Sequence, residues 1–323
     1  MKALETDDHS GFDRPRRRSR PRTKERPDYS KLPIARVISV DRGRYRCAID
    51  DVPVTAVRGR LIDRKGVVVG DQVRLDGDTS GDEGTLARIV DVLERTTMLR
   101  RSADDADTFE RPIVANADQL FIVTALADPP PRMGMIDRIL VAAYDARIDP
   151  ILCLTKADLA SPDELRAAYE PLGVPIIVTE PEADLTDVID VLADRVTVFV
   201  GHSGVGKSTL VNRLIPDANR ATGEVSELTG KGRHTSTSAY AMELPEGGWI
   251  IDTPGVRSFG ISHVAPESIL GAFPDLAEIA EDCPRGCKHE TGAIDCALDT
   301  AVEDGRLVPE RLVSFRRMER AFV

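Results

Sequence analysis

The sequence has no apolar run near the about eighteen residues that a membrane-spanning helix requires, which argues against an integral membrane protein. Its opening stretch, MKALETDDHSG, lacks the apolar centre of a secretory signal, so a soluble, cytoplasmic protein is expected. Cysteine is scarce: five residues, an odd number with three clustered, point to a reducing compartment and a metal site rather than a disulfide framework. Between Ile34 and Leu99 the only aromatic is Tyr45, too few rings for the stacking platform of a single-strand nucleic-acid binder. No internal repeat is visible.

What is present begins with charge. The 323 residues carry a net −11, yet positions 14–26 (RPRRRSRPRTKER) hold eight Lys/Arg against one Glu. A basic arm on an acidic body points to a localised polyanion contact, with a merely solubilising tail as the alternative. No apolar anchor accompanies the arm, so a membrane partner is not expected. Residues 1–32 are polar, rich in Pro and Arg, and expected to be disordered.

From Ile34 to about Leu99 the runs IARVISV, RYRCAI, VPVTAV, GVVV, QVRL and LARIVDVL alternate and are split by Gly/Asp turn signals. Five or six short strands over this length read as an all-β barrel of the OB type. Arg36, Arg42, Arg44, Arg46, Arg58, Arg60, Arg64 and Lys65 leave phosphate contacts to folded RNA as its expected nucleic-acid mode, with plain solvation as the alternative. From about Ala115 the texture becomes α/β. Apolar runs at Gln119–Leu126, Pro150–Thr155, Pro175–Thr179 and Val196–Val200 read as buried parallel strands. Met135–Ala146 and Asp184–Asp194 read as helices, the second capped by Asp or Thr, and AYAMEL with WIID as a strand pair. The stretch from Ala265 reads as helical. It closes on 309–322, where Leu312, Phe315, Met318 and Phe322 face inward and Arg311, Arg316, Arg317 and Arg320 form a basic outer face.

Residues 201–208, GHSGVGKS, fit the phosphate-binding template G-x-x-x-x-G-K-[ST] between a strand and a helix. Gly201, Gly204 and Gly206 allow the tight turn that aims consecutive N–H groups at phosphates. His202, Ser203, Val205 and Thr209 complete the lining of that loop. Lys207 supplies a cation for the terminal phosphates and Ser208 a hydroxyl for Mg2+, at a favourably charged helix N-terminus. Asp252-Thr253-Pro254-Gly255 ends a strand, with Asp252 for the Mg2+ shell and the Gly255 amide for the γ-phosphate. Thr155-Lys156-Ala157-Asp158 matches the guanine-recognition pattern Asn-Lys-x-Asp except at its first position. Asp158 can accept from the guanine N1–H and amine, which adenine does not offer. Thr155 retains only part of the usual Asn network.

Val256 stands where many GTPases place a water-orienting Gln, so intrinsic hydrolysis is expected to be slow. The polar stretch 220–237 reads as a mobile switch. Thr235, Ser236 and Thr237 are its candidate Mg2+ hydroxyls, Thr235 favoured, and His234 is the best side chain left to position water. An ordinary loop residue or an RNA contact is the other reading of His234. Lys207 joins His234 and Thr235 as the catalytic candidates. Cys283-x3-Cys287-x-His289-x6-Cys296 offers three thiolates and an imidazole, a closed tetrahedral set suited to structural Zn2+. Cys47 and Cys153 fall on strands and read as core packing.

The order of the nucleotide elements is unusual: guanine recognition (155–158) precedes the phosphate loop (201–208), which precedes Asp252–Gly255. The sheet is therefore expected to be circularly permuted. With the basic arm, the barrel, GHSGVGKS, GRHTST (232–237), DTPG and the Cys/His tail, the chain over about 33–323 resembles the RsgA (YjeQ) family of ribosome-biogenesis GTPases. The resemblance implies GTP hydrolysis stimulated by the small ribosomal subunit, contact with its rRNA, a late maturation role, His234 as the water-positioning residue, and zinc on the same Cys…Cys-x-His…Cys order. The expected architecture is multidomain: arm 1–32, OB-type barrel 33–100, α/β circularly permuted P-loop GTPase 101–264, and small α-helical zinc-binding domain 265–323. GTP/GDP with Mg2+ and one Zn2+ are the expected cofactors, and nothing demands more than a monomer. Two rival readings are a nucleotide-gated RNA-binding module with vestigial hydrolysis, and a permuted NTPase whose base preference Thr155 has loosened for another partner. Because the segment after Gly255 runs into the tail, nucleotide state is expected to reorient that tail.

Overall fold

The computed structural model describes residues 28–50, 52–63, 66–102, 110–216, 239–253, 261, 264 and 269–320. Leu32–Val323 form one compact unit that holds the barrel, the sheet and the helices.

The barrel is built from β1 (Ile34–Asp41), β2 (Arg44–Ile49), β3 (Val52–Arg58), β4 (Gln72–Gly77) and β5 (Ala87–Val92). The chain of pairings β1–β2–β3–β5–β4 closes on itself through β1–β4, and all but the parallel β3–β5 pair are antiparallel. Alternate residues, among them Val37, Tyr45, Cys47, Val54, Val73, Leu75 and Ile89, fill the interior. Tyr45 is thus core and unavailable for base stacking.

The run GVVV is not a sixth strand. Val67 enters the barrel core whereas Val69 enters the main core and bridges to Val114. Asp71, fully buried, accepts from the Val68 amide at 2.8 Å and from Arg95 Nε and Nη2 at 2.7 and 2.8 Å. A Cβ on Gly70 would lie 2.0 Å from the Ala115 carbonyl oxygen, so glycine is required where barrel and sheet meet. A hairpin that the pattern does not announce, β6 (Met98–Ser102) and β7 (Glu110–Ala115), follows the barrel.

The α/β layer has β8 (Gln119–Ala125), β9 (Asp149–Thr155), β10 (Ile176–Val178), β11 (Val196–Gly201), β12 (Tyr240–Glu243) and β13 (Trp249–Asp252) in the order β10-β9-β8-β11-β13-β12. Every neighbour pair is parallel except β12–β13. The edge strand β12 also pairs with β1 through Ser39 and Tyr240, which joins barrel and sheet. Both faces are covered, which is why the strands read as continuous apolar runs. Leu120, Ile122, Leu152 and Leu154 face α1 (Met133–Asp145) and α2 (Asp163–Tyr169). Phe121, Val123, Ile151 and Phe199 face α3 (Thr186–Leu192) and α4 (Lys207–Leu214). Helix α2 is only seven residues long and buries just Leu165 and Tyr169, too short a stretch to carry a periodic signature. At α3 the Asp184 carboxylate accepts from the Thr186 amide and hydroxyl at 3.0 and 2.8 Å, while Leu185 occupies the cap position.

Helices α5 (Pro274–Ala280), α6 (Ala297–Glu303) and α7 (Pro309–Glu319) lie on the α1/α2 side, where Phe273, Leu276, Leu298, Phe315 and Met318 join the main core. Three of the four arginines expected to form a basic outer face on α7 are instead spent on ion pairs within the fold. Arg320 stays exposed, reaching Thr291 Oγ1 at 3.4 Å, and Phe322 lies outside the described residues. Arg311 meets Asp275 at 2.5 and 2.6 Å and the Pro171 carbonyl at 2.6 Å. Arg316 meets both Asp299 oxygens at 2.7 Å, and Arg317 meets Asp137 of α1 at 3.1–3.3 Å. Among the described residues, no helix is long and apolar enough to cross a membrane.

Candidate nucleotide site and metal cluster

The parallel register brings the nucleotide motifs to one edge. Ala125 aligns with Thr155, Val123 with Gly201, and Phe199 with Asp252. These are the carboxyl ends of β8, β9, β11 and β13, where sheets of this type bind ligands. A Cβ on Gly201 would sit 2.6 Å from the Val123 carbonyl oxygen, so the loop can leave the strand only as glycine. Gly204 (φ 85°) and Gly206 (φ 90°) take the left-handed backbone that the turn needs, and α4 starts at Lys207.

The three motifs touch. Lys207 Nζ donates to Asp252 Oδ1, so the phosphate-loop cation and the strand-end carboxylate stand side by side. Thr253, buried, donates its hydroxyl to the Phe199 carbonyl at 2.9 Å and fixes the start of the Asp-Thr-Pro-Gly element beside β11. Thr155, buried as well, donates its hydroxyl to the Val205 carbonyl at 2.6 Å. It thereby ties the guanine-type element to the phosphate loop, the part of the Asn role that a hydroxyl can perform. Lys156 adopts φ 60° and donates through Nζ to the Asp128 carbonyl, and the Ala157 amide reaches the Thr179 carbonyl at 3.3 Å.

A pocket lies between these loops, lined by Thr155, Lys156, Gly206, Thr209 and Leu210 and by the turn Thr179–Pro181. Asp158 is exposed on the turn after Lys156, outside that lining. Ser208 is exposed at the start of α4, and His202 bonds its own loop, Nδ1 to the Ser203 carbonyl at 2.9 Å. His234, Thr235, Ser236, Thr237, Gly255 and Val256 lie outside the described residues, as does the arm at 1–27. The turn after β10 and Arg213, which donates to it, were not singled out in the sequence. A strand-end Thr179 was the only local signal.

On the barrel, Arg42, Arg44 and Arg60 are exposed, Arg46 and Arg58 half-buried, and Arg64 and Lys65 lie outside the described residues. Arg36 is not a surface cation: its guanidinium lies 5.7 Å from the centre of the Trp249 ring.

In the tail, one ligand atom each from Cys283, Cys287, His289 and Cys296 lies within 4.8 Å of the others. His289 Nδ1 is 3.6 Å from Cys283 Sγ and 3.8 Å from Cys296 Sγ. A tetrahedral ion at about 2.3 Å from sulfur and about 2.0 Å from nitrogen sets S···N edges of about 3.6 Å. The cluster is therefore compatible with zinc. The Ala297 amide, at the start of α6, donates to Cys283 Sγ at 3.3 Å and Arg316 Nε donates to the His289 carbonyl at 2.7 Å, so both sides of the cluster are held. Burial pushes the Cys296 thiol up to about 11, a proton that a bound dication would displace.

Comparison with known proteins places this geometry. The model of the RsgA GTPase family matches residues 92–262. The chain belongs to the RsgA GTPase family. A relative from Pseudomonas aeruginosa named Small ribosomal subunit biogenesis GTPase RsgA is 40% identical over 261 residues, 78% of this chain and 75% of the relative. One of the same name from Ectopseudomonas mendocina is 41% identical over 263 residues, 78% and 74% of the two chains. Among solved structures the chain is similar to YloQ, described as a circularly permuted GTPase, at 27% identity and a TM-score of 0.65, covering 92% of this chain and 97% of that one. It shares its fold with YjeQ from Thermotoga maritima at 24% identity and a TM-score of 0.66, over 90% and 98% of the two chains. The family match ends before the Cys/His tail, whereas the structural likeness to YloQ spans most of the chain.

Proposed function

We propose that this chain is a GTPase of small-ribosomal-subunit biogenesis, hydrolysing GTP to GDP and phosphate in the cytoplasm as a monomer. The observation that carries the chemistry is the convergence of Lys207, Asp252 and Thr155 at one sheet edge, with Thr155 bonded to the phosphate loop. The names of the 40% identical relatives support the ribosomal target.

In this reading Gly201–Ser208 with Thr209 cradles the phosphates, and Lys207 neutralises the charge that develops at the γ-phosphate. Ser208, Asp252 and Thr235 hold Mg2+, and the Gly255 amide meets the γ-phosphate. Thr155–Asp158 with the turn after β10 holds guanine. His234 orients water, and a slow bare site is stimulated by the particle. Zn2+ on Cys283, Cys287, His289 and Cys296 staples the tail, while the basic arm and the exposed barrel arginines contact rRNA phosphates. The division into arm 1–32, barrel 33–100, GTPase 101–264 and zinc domain 265–323 belongs to the same reading.

The test is phosphate release from GTP and from ATP, with and without purified small subunits. GTP-specific release that rises strongly with particles is expected. Tight particle binding without turnover, or ATP turnover indifferent to particles, refutes it.

A further inference from the structure

The pocket between the phosphate loop and the turn that starts at Thr155 has a third wall, Thr179–Pro181 of the segment 179–183, and that segment is fastened to α4. Arg213, about 1.7 helical turns along α4 from Lys207, donates through Nη1 to the Pro181 carbonyl at 2.7 Å and through Nη2 to the Ala183 carbonyl at 2.5 Å. A longer approach, 3.5 Å, reaches the Glu180 carbonyl. Thr179, Glu180, Pro181 and Arg213 all line the pocket.

The wall is otherwise lightly held. Its inner end is tied by the strand bond from the Thr179 amide to the Leu154 carbonyl at 2.8 Å, and by the Ala157 amide to the Thr179 carbonyl at 3.3 Å. Beyond Thr179 the chain turns through Ala183 N to the Glu180 carbonyl at 3.2 Å and runs to Asp184, which caps toward Thr186. Pro181 contributes no N–H. A guanidinium presents several donors in a fixed plane, so one side chain can hold the carbonyls of Pro181 and Ala183 together where an ammonium holds one at a time. Because Arg213 rides on the helix that begins at Lys207, it references the base-side wall to the phosphate-binding element.

We propose that Arg213 is a positioning residue for base recognition: it holds the wall 179–183 against α4 at the spacing that accepts a guanine ring. The proposal rests on the nucleotide site described above and adds a residue to it. Charged hydrogen bonds of this kind, lost together, are worth about a tenfold change in equilibrium constant. The loss falls equally on di- and triphosphate, because the contact lies on the base side.

The experiment measures binding and dissociation of fluorescent GDP and of a non-hydrolysable GTP analogue by the full chain, with ATP and ITP as competitors. Arg213→Ala is expected to bind both guanine nucleotides about tenfold more weakly through faster release, by the same factor for each. Its preference for guanine over the competitors should narrow, with an unchanged thermal midpoint of the nucleotide-free protein. Arg213→Lys should recover part of the loss. Wild-type affinity and base preference in Arg213→Ala overturn the proposal, as does a loss confined to the triphosphate. A wild-type chain that binds no guanine nucleotide overturns the parent reading instead, so the two failures are distinct.

Discussion

Removing the Arg317 side chain should break the clasp between α7 and the GTPase layer. Asp137 is 3% exposed on α1, and Arg317 reaches it through Nε and Nη2 at 3.1–3.3 Å. The same guanidinium donates to the Ala168 carbonyl at 3.1 Å and lies 4.5 Å from the Tyr169 ring centre. Truncation to Ala leaves a buried carboxylate without its partner, which costs about 3–5 kcal/mol. The Arg317 side chain is 25% exposed, so water can follow it inward and the lower end, about 3 kcal/mol, applies. In a unit of this size that lowers the melting midpoint by roughly 5–10 °C. Asp137→Asn, which keeps an acceptor and removes the buried charge, should cost about 1 kcal/mol. The paired replacement Asp137→Leu with Arg317→Met should return to within about 1 kcal/mol of wild type.

The pH dependence has a definite sign. Burial pushes the Asp137 carboxyl above its ordinary range and Arg317 pulls it back. Without Arg317 the folded state binds that proton more tightly than the unfolded chain does. The penalty is then complete above the raised folded pKa and fades as pH falls through it. The gap between wild type and Arg317→Ala should therefore be wider at pH 8 than at pH 5.5, by near-UV circular dichroism melts compared at each pH. Equal midpoints at both, or a gap that widens on acidification, refutes the reasoning.

Two further outcomes follow from the site. Thr155→Val removes the donor to the Val205 carbonyl and should weaken GDP binding about tenfold in equilibrium titration, whereas Thr155→Asn should not; equal affinity of the Val variant and wild type contradicts the role given to the hydroxyl. In metal-free folded protein, iodoacetamide followed by peptide mass spectrometry should find the half-buried Cys283 and Cys287 modified. Cys47 and Cys153, whose thiols burial pushes up to about 12, should stay untouched, and one equivalent of zinc should protect the first pair. Comparable labelling of Cys47 would contradict the barrel packing.

The site was legible wherever chemistry imposes a fixed local spacing. The glycines at 201, 204 and 206 are demanded by backbone geometry, and the Cys/His spacing is one that a tetrahedral ion can use. The strands β8, β9 and β11 were legible because burial on both faces leaves no polar alternation to obscure them. What stayed hidden depends on partners far away in the chain. An amphipathic helix with four arginines looks the same whether they meet water or Asp137, 180 residues earlier. Arg36 reads as an exposed strand cation until β12 and β13 bring Trp249 over it. The GVVV run has strand composition, yet its valines divide between two cores, a choice only the closed barrel can make. Arg213 likewise has no local signature, since the carbonyls it holds lie about thirty residues upstream.

That clasp also changes how nucleotide state can reach the tail. The permuted order suggests a swing of the C-terminal helices about the segment that follows Asp252. Helix α7, however, is pinned to α1 by Arg317 and to the turn after α2 by Arg311, and it shares the main core with both layers. Helix α1 in turn starts just after Pro129–Pro131, which line a crevice together with His202 and Val205 of the phosphate loop. A displacement of that loop therefore meets α1 first and carries α7 with it, because packed layers shift by small sliding steps rather than by hinging through their own core. Hydrogen exchange with GDP and with a GTP analogue should then change in the same direction in 133–145 and 309–320. Exchange that changes in 309–320 while 133–145 stays constant would favour the swing, and identical exchange throughout 269–320 in the two nucleotide states would mean that the tail does not sense the nucleotide at all.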